Sequence, residues 1–339
     1  MRLTHSKDTQ NHENHTMKEP MRAMDEINAI EVKHLEKGYK GVPVLHDVSF
    51  TVSRGTVFAL LGANGSGKTT TINVLTTLIK ADGGIATVAG FDVATQPSRV
   101  RELISVTGQS AAVDYILTAR ENLVLMGELR HVADPQRVAS SLLDKFDLND
   151  AADRRLLTFS GGMRRRLDIA MSLVGEAPII FFDEPTTGLD PQSRNDMWQT
   201  IRELAGKGST IFLTTQYLEE ADRLADQIAI LHGGRVVAGG TPEELKTMVP
   251  SGLVELSFTE DEDLIAAQGA LGEAHELSRV DSNLVVASNG SVADITDMFI
   301  RLNNAGLEPT GFNAKAPTLD DVFFKILGED KEETHANSH

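Results

Sequence analysis

One stretch of eight residues, GANGSGKT, constrains the fold of this 339-residue chain more than any other. It occupies residues 62–69 and fits the pattern G-x-x-x-x-G-K-[ST] at every fixed position. An apolar, strand-like segment at residues 57–61 precedes it, and a helical pattern follows it. A strand, a glycine-rich loop and a helix in this order are the context in which the pattern binds phosphate. The stretch therefore predicts an α/β fold with a phosphate-bearing ligand.

The residue types in this loop suit phosphate groups for physical reasons. Glycines let the backbone curl so that successive N–H groups point at phosphate oxygens, and the dipole of the following helix adds to that attraction. Lys68 can place a mobile cation on the β- and γ-phosphates, and the hydroxyl of Thr69 can bind Mg²⁺. The predicted contacts are Gly62, Ala63, Asn64, Gly65, Ser66, Gly67, Lys68, Thr69 and Thr70.

A pair of acids, Asp183 and Glu184, ends the apolar run IIFFDEP about 115 residues after the loop. A run this apolar is typical of a strand that is buried on both faces of a parallel sheet. Asp183 is the candidate to hold Mg²⁺, and Glu184 is the candidate to polarise an attacking water. An apolar run ending in Asp-Glu is a weak motif alone, and the phosphate-binding pattern upstream makes it informative.

The order of patterns along the chain predicts the domain organisation. Strand-like runs begin at Ala29, and residues 97–175 read mostly as helical. Three strand-like runs, PIIFFD, STIFLTT and DQIAIL, then alternate with helical patterns, as in βαβ units on a mainly parallel sheet. We expect a nucleotide-binding domain over residues 27–250, with a helical part at about 108–175, and a small α+β module over 251–328. Disordered tails are predicted at 1–26 and 329–339.

Composition excludes several classes of function. The net charge is −17, and residues 251–339 hold 17 acidic and 5 basic side chains. This is not the basic footprint of a nucleic-acid binder, so no nucleic-acid partner is expected. No apolar run approaches the roughly 18 residues that a membrane span requires. Cysteine is absent, which excludes disulfides and thiolate chemistry.

A second glycine-containing helix start adds the motif that points to a family. Ser160, Gly161 and Gly162 open the helical pattern of FSGGMRRRLDIAMSLV, and such an N-terminus can bind an anion. With this motif the chain resembles the ATP-binding-cassette (ABC) ATPases, in which FSGGMR is similar to the signature loop. Met163 departs from the usual Gln of that loop. Further matches are Tyr39 to the adenine-stacking aromatic, Gln109 to the Q-loop glutamine, and GLDP, which contains Asp190, to the D-loop.

The resemblance implies a P-loop NTPase fold with a RecA-like parallel core, an N-terminal antiparallel β subdomain and a helical subdomain. It implies ATP and Mg²⁺ as cofactors, with Thr69, Gln109 and Asp183 ordering the metal. It also implies a head-to-tail homodimer, in which Ser160–Gly162 of one copy act on the γ-phosphate held by the other. Asp190 would link the two sites. A separate polytopic membrane permease, bound through Gln109 and the helical insert, would hold the chain at the cytoplasmic face of the membrane.

Three segments narrow the resemblance to the daunorubicin/doxorubicin-resistance type of ATP-binding subunit. They are VTGQSAAVDYILTARENL, TTQYLEEADRLADQIAIL and PTLDDVFFKILG, and they imply export of drug-like or other amphipathic compounds. Gln216 stands where ABC ATPases usually carry His, so we expect slow hydrolysis that depends mainly on Glu184. Two alternatives remain: a soluble ABC ATPase acting on DNA or ribosomes, and a cassette that binds ATP without hydrolysing it.

Overall fold

A computed structural model of the chain describes residues 28–107, 113–175, 177–249, 253–272, 274–280, 283–288, 291–315 and 317–326. The chain divides into two compact units, one ending at Gly239 and one beginning at Gly240. The sequence predicted this boundary at residue 250, and the structure places it earlier in the chain. Within the second unit, Lys325 Nζ donates a hydrogen bond to the carbonyl of Met248 at 2.9 Å, which ties residues before 250 to the C-terminal part. Both predicted tails lie outside the described residues.

The first unit carries strands and helices in an alternating order. In chain order they are β1 (Ile30–Tyr39), β2 (Val42–Val52), β3 (Val57–Leu61), α1 (Lys68–Leu75), β4 (Gly83–Val88), β5 (Phe91–Asp92), α2 (Pro97–Leu103), β6 (Ile104–Thr107), α3 (Ala119–Leu129), α4 (Pro135–Lys145), α5 (Gly161–Ser172), β7 (Ile179–Asp183), α6 (Pro191–Gly206), β8 (Thr210–Thr215), α7 (Leu218–Leu224), β9 (Gln227–His232) and β10 (Arg235–Gly240). Two short 3-10 turns, Asn149–Ala151 and Leu156–Thr158, lie between α4 and α5.

The central sheet of this unit has the strand order β10-β9-β3-β8-β7-β6, and the pairs from β9 to β6 are parallel. Every residue of β3, β7 and β8 is buried, as expected for strands covered on both faces. The register sets Leu61 opposite Thr215 and Asp183 opposite Thr214. The carboxyl ends of β3, β8 and β7 therefore meet at one edge, where open α/β sheets bind their ligands.

A second sheet, with the order β2-β1-β4-β5, is antiparallel. Phe50 of this sheet stacks on Phe58 of the central sheet with ring centroids 5.1 Å apart, and Phe58 stacks on Phe212 at 5.4 Å. Aromatic pairs at these spacings add attraction beyond the area that they bury. The predicted fold class, a parallel core with an antiparallel β region before it, is confirmed.

The helical region follows local sequence signals. Thr118 and Glu121 form a capping box at the start of α3, and Asp134 caps α4, whose first residue is Pro135. Residues 97–175 were read as mostly helical, and Ile104–Thr107 is an exception that forms the edge strand β6. This run pairs in parallel with β7, with Ile104 opposite Ile179. Its four residues, Ile-Ser-Val-Thr, are too few for their alternation to separate a strand from a helix.

The second unit is a small α+β module. It contains α8 (Pro242–Lys246), β11 (Leu253–Ser257), α9 (Asp261–Leu271), β12 (Leu277–Val280), β13 (Asn283–Ala287), α10 (Val292–Asn304), β14 (Gly311–Lys315) and a helix at 319–326. Its antiparallel sheet has the order β12-β13-β11-β14. Leu256 and Leu284 of the sheet share one core with Leu271 of α9 and Leu302 of α10. Within the part of the chain that the structure describes, no helix is both long and apolar enough to cross a membrane.

Candidate active site

The loop between β3 and α1, residues 62–69, is called the phosphate loop below. Gly67 caps α1 with φ at +111°, a backbone region that side chains rarely adopt. A Cβ at Gly67 would lie 2.5 Å from Cδ2 of Leu45, and one at Gly62 would lie 2.4 Å from the carbonyl oxygen of Leu231. Both positions therefore require glycine if the backbone is to keep this tight curve.

Lys68, the first residue of α1, is buried with its side chain 4% exposed. Its Nζ donates to the carbonyl oxygens of Gly62 at 2.8 Å and Ala63 at 3.1 Å. The same Nζ lies 3.3 Å from Oε1 of Glu184. A buried ammonium is stable only where charge and hydrogen bonds compensate it, and here the loop and the end of β7 do so together.

Asp183 ends β7 and is 3% exposed. Its Oδ1 accepts hydrogen bonds from the hydroxyl of Thr214 at 2.6 Å and from the hydroxyl of Thr69 at 3.4 Å. The fold thus brings together two predicted metal ligands that lie more than a hundred positions apart in the sequence. A carboxylate and a hydroxyl are hard oxygen donors, which suit Mg²⁺.

Glu184 follows β7 directly and has φ at +48°, which is uncommon for a residue with a side chain. Its backbone N–H donates to both the carbonyl oxygen and the hydroxyl of Thr214, each at 3.1 Å. Its Oε2 accepts from the hydroxyl of Thr187 at 3.2 Å, while Oε1 faces Lys68. The carboxylate is therefore held against the phosphate loop.

Gln216 lies between the end of β8 and the start of α7, and it is half-buried. Its neighbour Thr215 accepts a hydrogen bond from the backbone N–H of Gly62 at 3.1 Å. The hydroxyl of Thr215 also accepts from the N–H of Tyr217 at 3.0 Å. Gln216 is thus fixed next to the first residue of the phosphate loop.

Other predicted site residues lie in separate places. Ser160 caps α5 and accepts from the N–H of Met163 at 3.2 Å. Asp190 caps α6, and hydrogen bonds from the N–H and hydroxyl of Ser193 hold its pKa below its usual range. Tyr39 is 45% exposed at the end of β1. Gln109 lies outside the described residues.

Sequence reasoning missed three residues that contact this site. Thr214 supports both acids, and Arg165 donates to the backbone carbonyls of Asp183 and Glu184. Glu220 is fully buried and accepts from Nε1 of Trp198 at 3.0 Å. Burial raises the pKa of Glu220, although hydrogen bonds from Thr215 and Trp198 oppose the shift. The sequence signal that could have identified Glu220 is the helical periodicity of YLEEAD, which places Glu220 on the buried face and Glu219 on the exposed face.

Comparisons with known proteins agree with this geometry. The family model described as ABC transporter matches residues 45–187. A daunorubicin resistance ATP-binding protein of Streptomyces coeruleorubidus is 42% identical over 91% of this chain and 98% of its own length. A Nod factor export ATP-binding protein of Sinorhizobium fredii is 33% identical over 89% of this chain and 87% of its own length. A solved ATP-binding subunit of an ABC transporter superposes with a TM-score of 0.61 at 33% identity, covering 65% of this chain and 92% of that one.

Proposed function

The chain belongs to the ABC transporter family, among the ATP-binding subunits of the daunorubicin/doxorubicin-resistance type, and on this premise we propose that it drives export of drug-like or other amphipathic compounds through a separate membrane permease. Such subunits bind and hydrolyse ATP. The observation that carries the proposal is the convergence of Lys68, Asp183 and Glu184 at the carboxyl edge of the parallel sheet. Phosphoryl transfer needs such groups, one acid to hold the metal and one to orient the attacking water.

The phosphate loop holds the β- and γ-phosphates of ATP through its backbone N–H groups and through Lys68. Nζ of Lys68 exchanges the carbonyl oxygens of Gly62 and Ala63 for phosphate oxygens. Tyr39, which is exposed at the end of β1, stacks on the adenine. Thr69 and Asp183 would hold Mg²⁺, Asp183 through water, and Gln109 would complete the set. When bound, the metal neutralises charge on the phosphate oxygens.

Glu184 accepts a hydrogen bond from the attacking water and thereby polarises it. Its left-handed backbone directs the carboxylate toward the loop, and Thr187 fixes one of its oxygens. Gln216 donates a hydrogen bond to the γ-phosphate, since an amide can donate but cannot become a cation. Hydrolysis is slow and depends mainly on Glu184.

Two copies of the chain pair head to tail, with Ser160–Gly162 of one copy against the ATP of the other. The open N-terminus of α5 and the exposed Asp190 support this arrangement, because both face outward in one copy. The helical region after Gln109 receives the permease. The chain then lies at the cytoplasmic face of the membrane without crossing it.

The cargo is proposed from the relatives that share 40% or more of their residues with this chain. Their names refer to daunorubicin or doxorubicin resistance, whereas the relatives at 33% identity are named for Nod factor export. Cargo therefore changes within this range of similarity. A drug-like, amphipathic compound is the class of cargo that the names of these more similar relatives favour.

The direct test measures Mg²⁺-dependent ATP hydrolysis by the purified full-length chain and by Glu184→Gln. We expect Glu184→Gln to lower turnover by at least about 100-fold while ATP binding stays within about threefold, as for loss of a group that acts only in the transition state. Equal turnover in the two proteins would contradict the assigned chemistry.

Affinity purification from cells should recover a polytopic membrane protein. Recovery of ribosomes or DNA, and never of membranes, would contradict the exporter role.

A further inference from the structure

Arg165 is a largely buried cation that the family motifs leave without a role. It lies on α5, five positions after the capping residue Ser160, and its side chain is 14% exposed. Asp168 lies one turn further along the helix, with Oδ2 at 3.5 Å from an Arg165 nitrogen. A guanidinium this buried is stable only if its fork of donors meets acceptors on several sides.

The acceptors are three consecutive backbone carbonyls at the end of β7. One terminal nitrogen of Arg165 donates to the oxygens of Asp183 and Glu184, each at 3.0 Å, and Nε donates to the oxygen of Pro185 at 3.1 Å. These residues include the proposed metal ligand and the proposed activator of water. A planar guanidinium can bridge three carbonyls in this way, whereas the compact ammonium of Lys cannot.

The backbone of Glu184 needs such support. Its left-handed conformation is unfavourable for a residue with a Cβ, and it persists only where surrounding contacts fix it. Thr214 holds the N–H of Glu184 from the side of β8. Arg165 holds the carbonyl from the side of α5. The direction in which the Glu184 side chain leaves the backbone is set between these two anchors.

We propose that Arg165 is a positioning residue for Glu184, which fixes the strained backbone at the end of β7 so that the carboxylate points at the water it activates. This inference rests on the proposed ATPase function. It assigns to the second arginine of RRR a part in the chemistry that Ser160 and the two glycines do not explain. A displacement of about 1 Å at a reacting group can cost on the order of 100-fold in rate.

The adjacent Arg166 offers a matched control. It lies on the same helix and also donates to backbone, but its acceptors are the carbonyls of Phe146 at 3.1 Å and Asp147 at 3.5 Å, far in the sequence from Glu184. Its side chain is 29% exposed. Substitution of Arg166 therefore disturbs the anchoring of α5 without touching the carbonyls at the end of β7.

The experiment compares the full-length chain with Arg165→Met, Arg165→Lys and Arg166→Met in ATP hydrolysis, ATP binding and thermal unfolding. We expect kcat of Arg165→Met to fall about 10- to 100-fold, with KM and Kd for ATP within about threefold. Arg165→Lys should recover part of kcat, because an ammonium can still donate to one or two of the carbonyls. Arg166→Met should keep kcat within about threefold.

Three results would overturn the inference: an unchanged kcat in Arg165→Met, a loss of ATP affinity as large as the loss of kcat, or an equal loss of kcat in Arg166→Met. If Arg165→Met fails to fold, the same criteria apply to Arg165→Lys. In a Glu184→Gln background, Arg165→Lys should lower the residual rate no further, because residues that act as a unit are not additive. A wild-type chain without ATPase activity would instead contradict the proposed function itself.

Discussion

Two glycine-containing loops each begin a helix in the first unit, and they differ in what surrounds them. In the phosphate loop, a Cβ at Gly62 or Gly67 would lie within 2.5 Å of another atom, and the following Lys68 is buried against the same chain. In the loop at 160–162, a Cβ at Gly161 or Gly162 would meet no atom within 4 Å among the described residues. One loop is packed by its own chain, and the other is open.

The difference shows that two similar local sequences, each a glycine-containing loop before a helix, can have different structural surroundings. The phosphate loop is shaped by contacts from β2, β9 and the residue that follows β7, so other parts of the first unit constrain its geometry. In the loop at 160–162, Ser160 caps the helix, and the two glycines have open space around them among the described residues. This loop presents helix N–H groups to whatever approaches from outside, which suits the second copy in the proposed dimer.

The largest expected effect comes from comparing Gly67→Ala with Gly161→Ala. Gly67→Ala puts a methyl group into Leu45 and demands a positive φ, so we expect stability to fall by about 1–3 kcal/mol and ATP affinity to fall by at least about 100-fold. Gly161→Ala is the matched control, and its stability should change by less than about 0.5 kcal/mol. Urea unfolding and ATP binding check both. Equal destabilisation in the two variants would remove the distinction between packed and open loops.

A smaller effect is expected at Gln216, which borders the packed loop without filling it. Gln216→Ala should lower kcat by about 10-fold, the loss of one hydrogen bond to a charged group, and so by less than Glu184→Gln. Gln216→His should introduce a pH dependence near the ordinary histidine pKa of about 6.5 that the natural chain lacks. Steady-state ATPase rates between about pH 5.5 and 7.5, about one unit on either side of that pKa, test both. Abolition of turnover by Gln216→Ala, with Glu184→Gln still active, would reverse the two roles.

The smallest effect concerns Glu220, behind the packed loop. Because burial raises its pKa, the folded chain keeps a proton that the unfolded chain loses first as pH rises. Stability should therefore fall as pH rises from the ordinary glutamate pKa to the raised one, by about 1.4 kcal/mol for each pH unit between them, and then level off.

Urea unfolding of wild type and Glu220→Gln at a series of pH values measures this effect. The variant cannot titrate at this position. The free energy of unfolding of Glu220→Gln minus that of wild type should therefore increase with pH between the ordinary and the raised pKa. The exposed neighbour Glu219, paired with Arg223 at 3.2 Å, is the control, and Glu219→Gln should change stability by less than about 0.5 kcal/mol. A constant difference between Glu220→Gln and wild type would contradict a raised pKa.

The sequence predicted those parts of the site whose role can be inferred from residues that are adjacent in the chain. The phosphate loop follows its strand directly, and Asp183 and Glu184 end theirs, so each could be assigned from a few neighbouring residues. The roles of Thr214 and Arg165 could not, because they arise from pairing of β7 with β8 and from hydrogen bonds between α5 and the backbone at the end of β7. A threonine in a strand and an arginine in a basic run carry no local sign of such contacts.

The most direct test of the account asks whether the open loop of one copy meets the packed loop of another. The chain has no cysteine, so Asn64→Cys and Ser160→Cys can be introduced singly, each with Glu184→Gln to retain ATP. When the two proteins are mixed and oxidised with ATP and Mg²⁺, we predict a disulfide between them, because the head-to-tail pairing brings residue 64 of one copy close to residue 160 of the other. A disulfide forms only if the two Cβ atoms approach within about 4.5 Å, so the bond reports this proximity. The bond should be absent without ATP. Failure of the mixture to cross-link with ATP, or cross-linking only between two Asn64→Cys chains, would contradict the head-to-tail site.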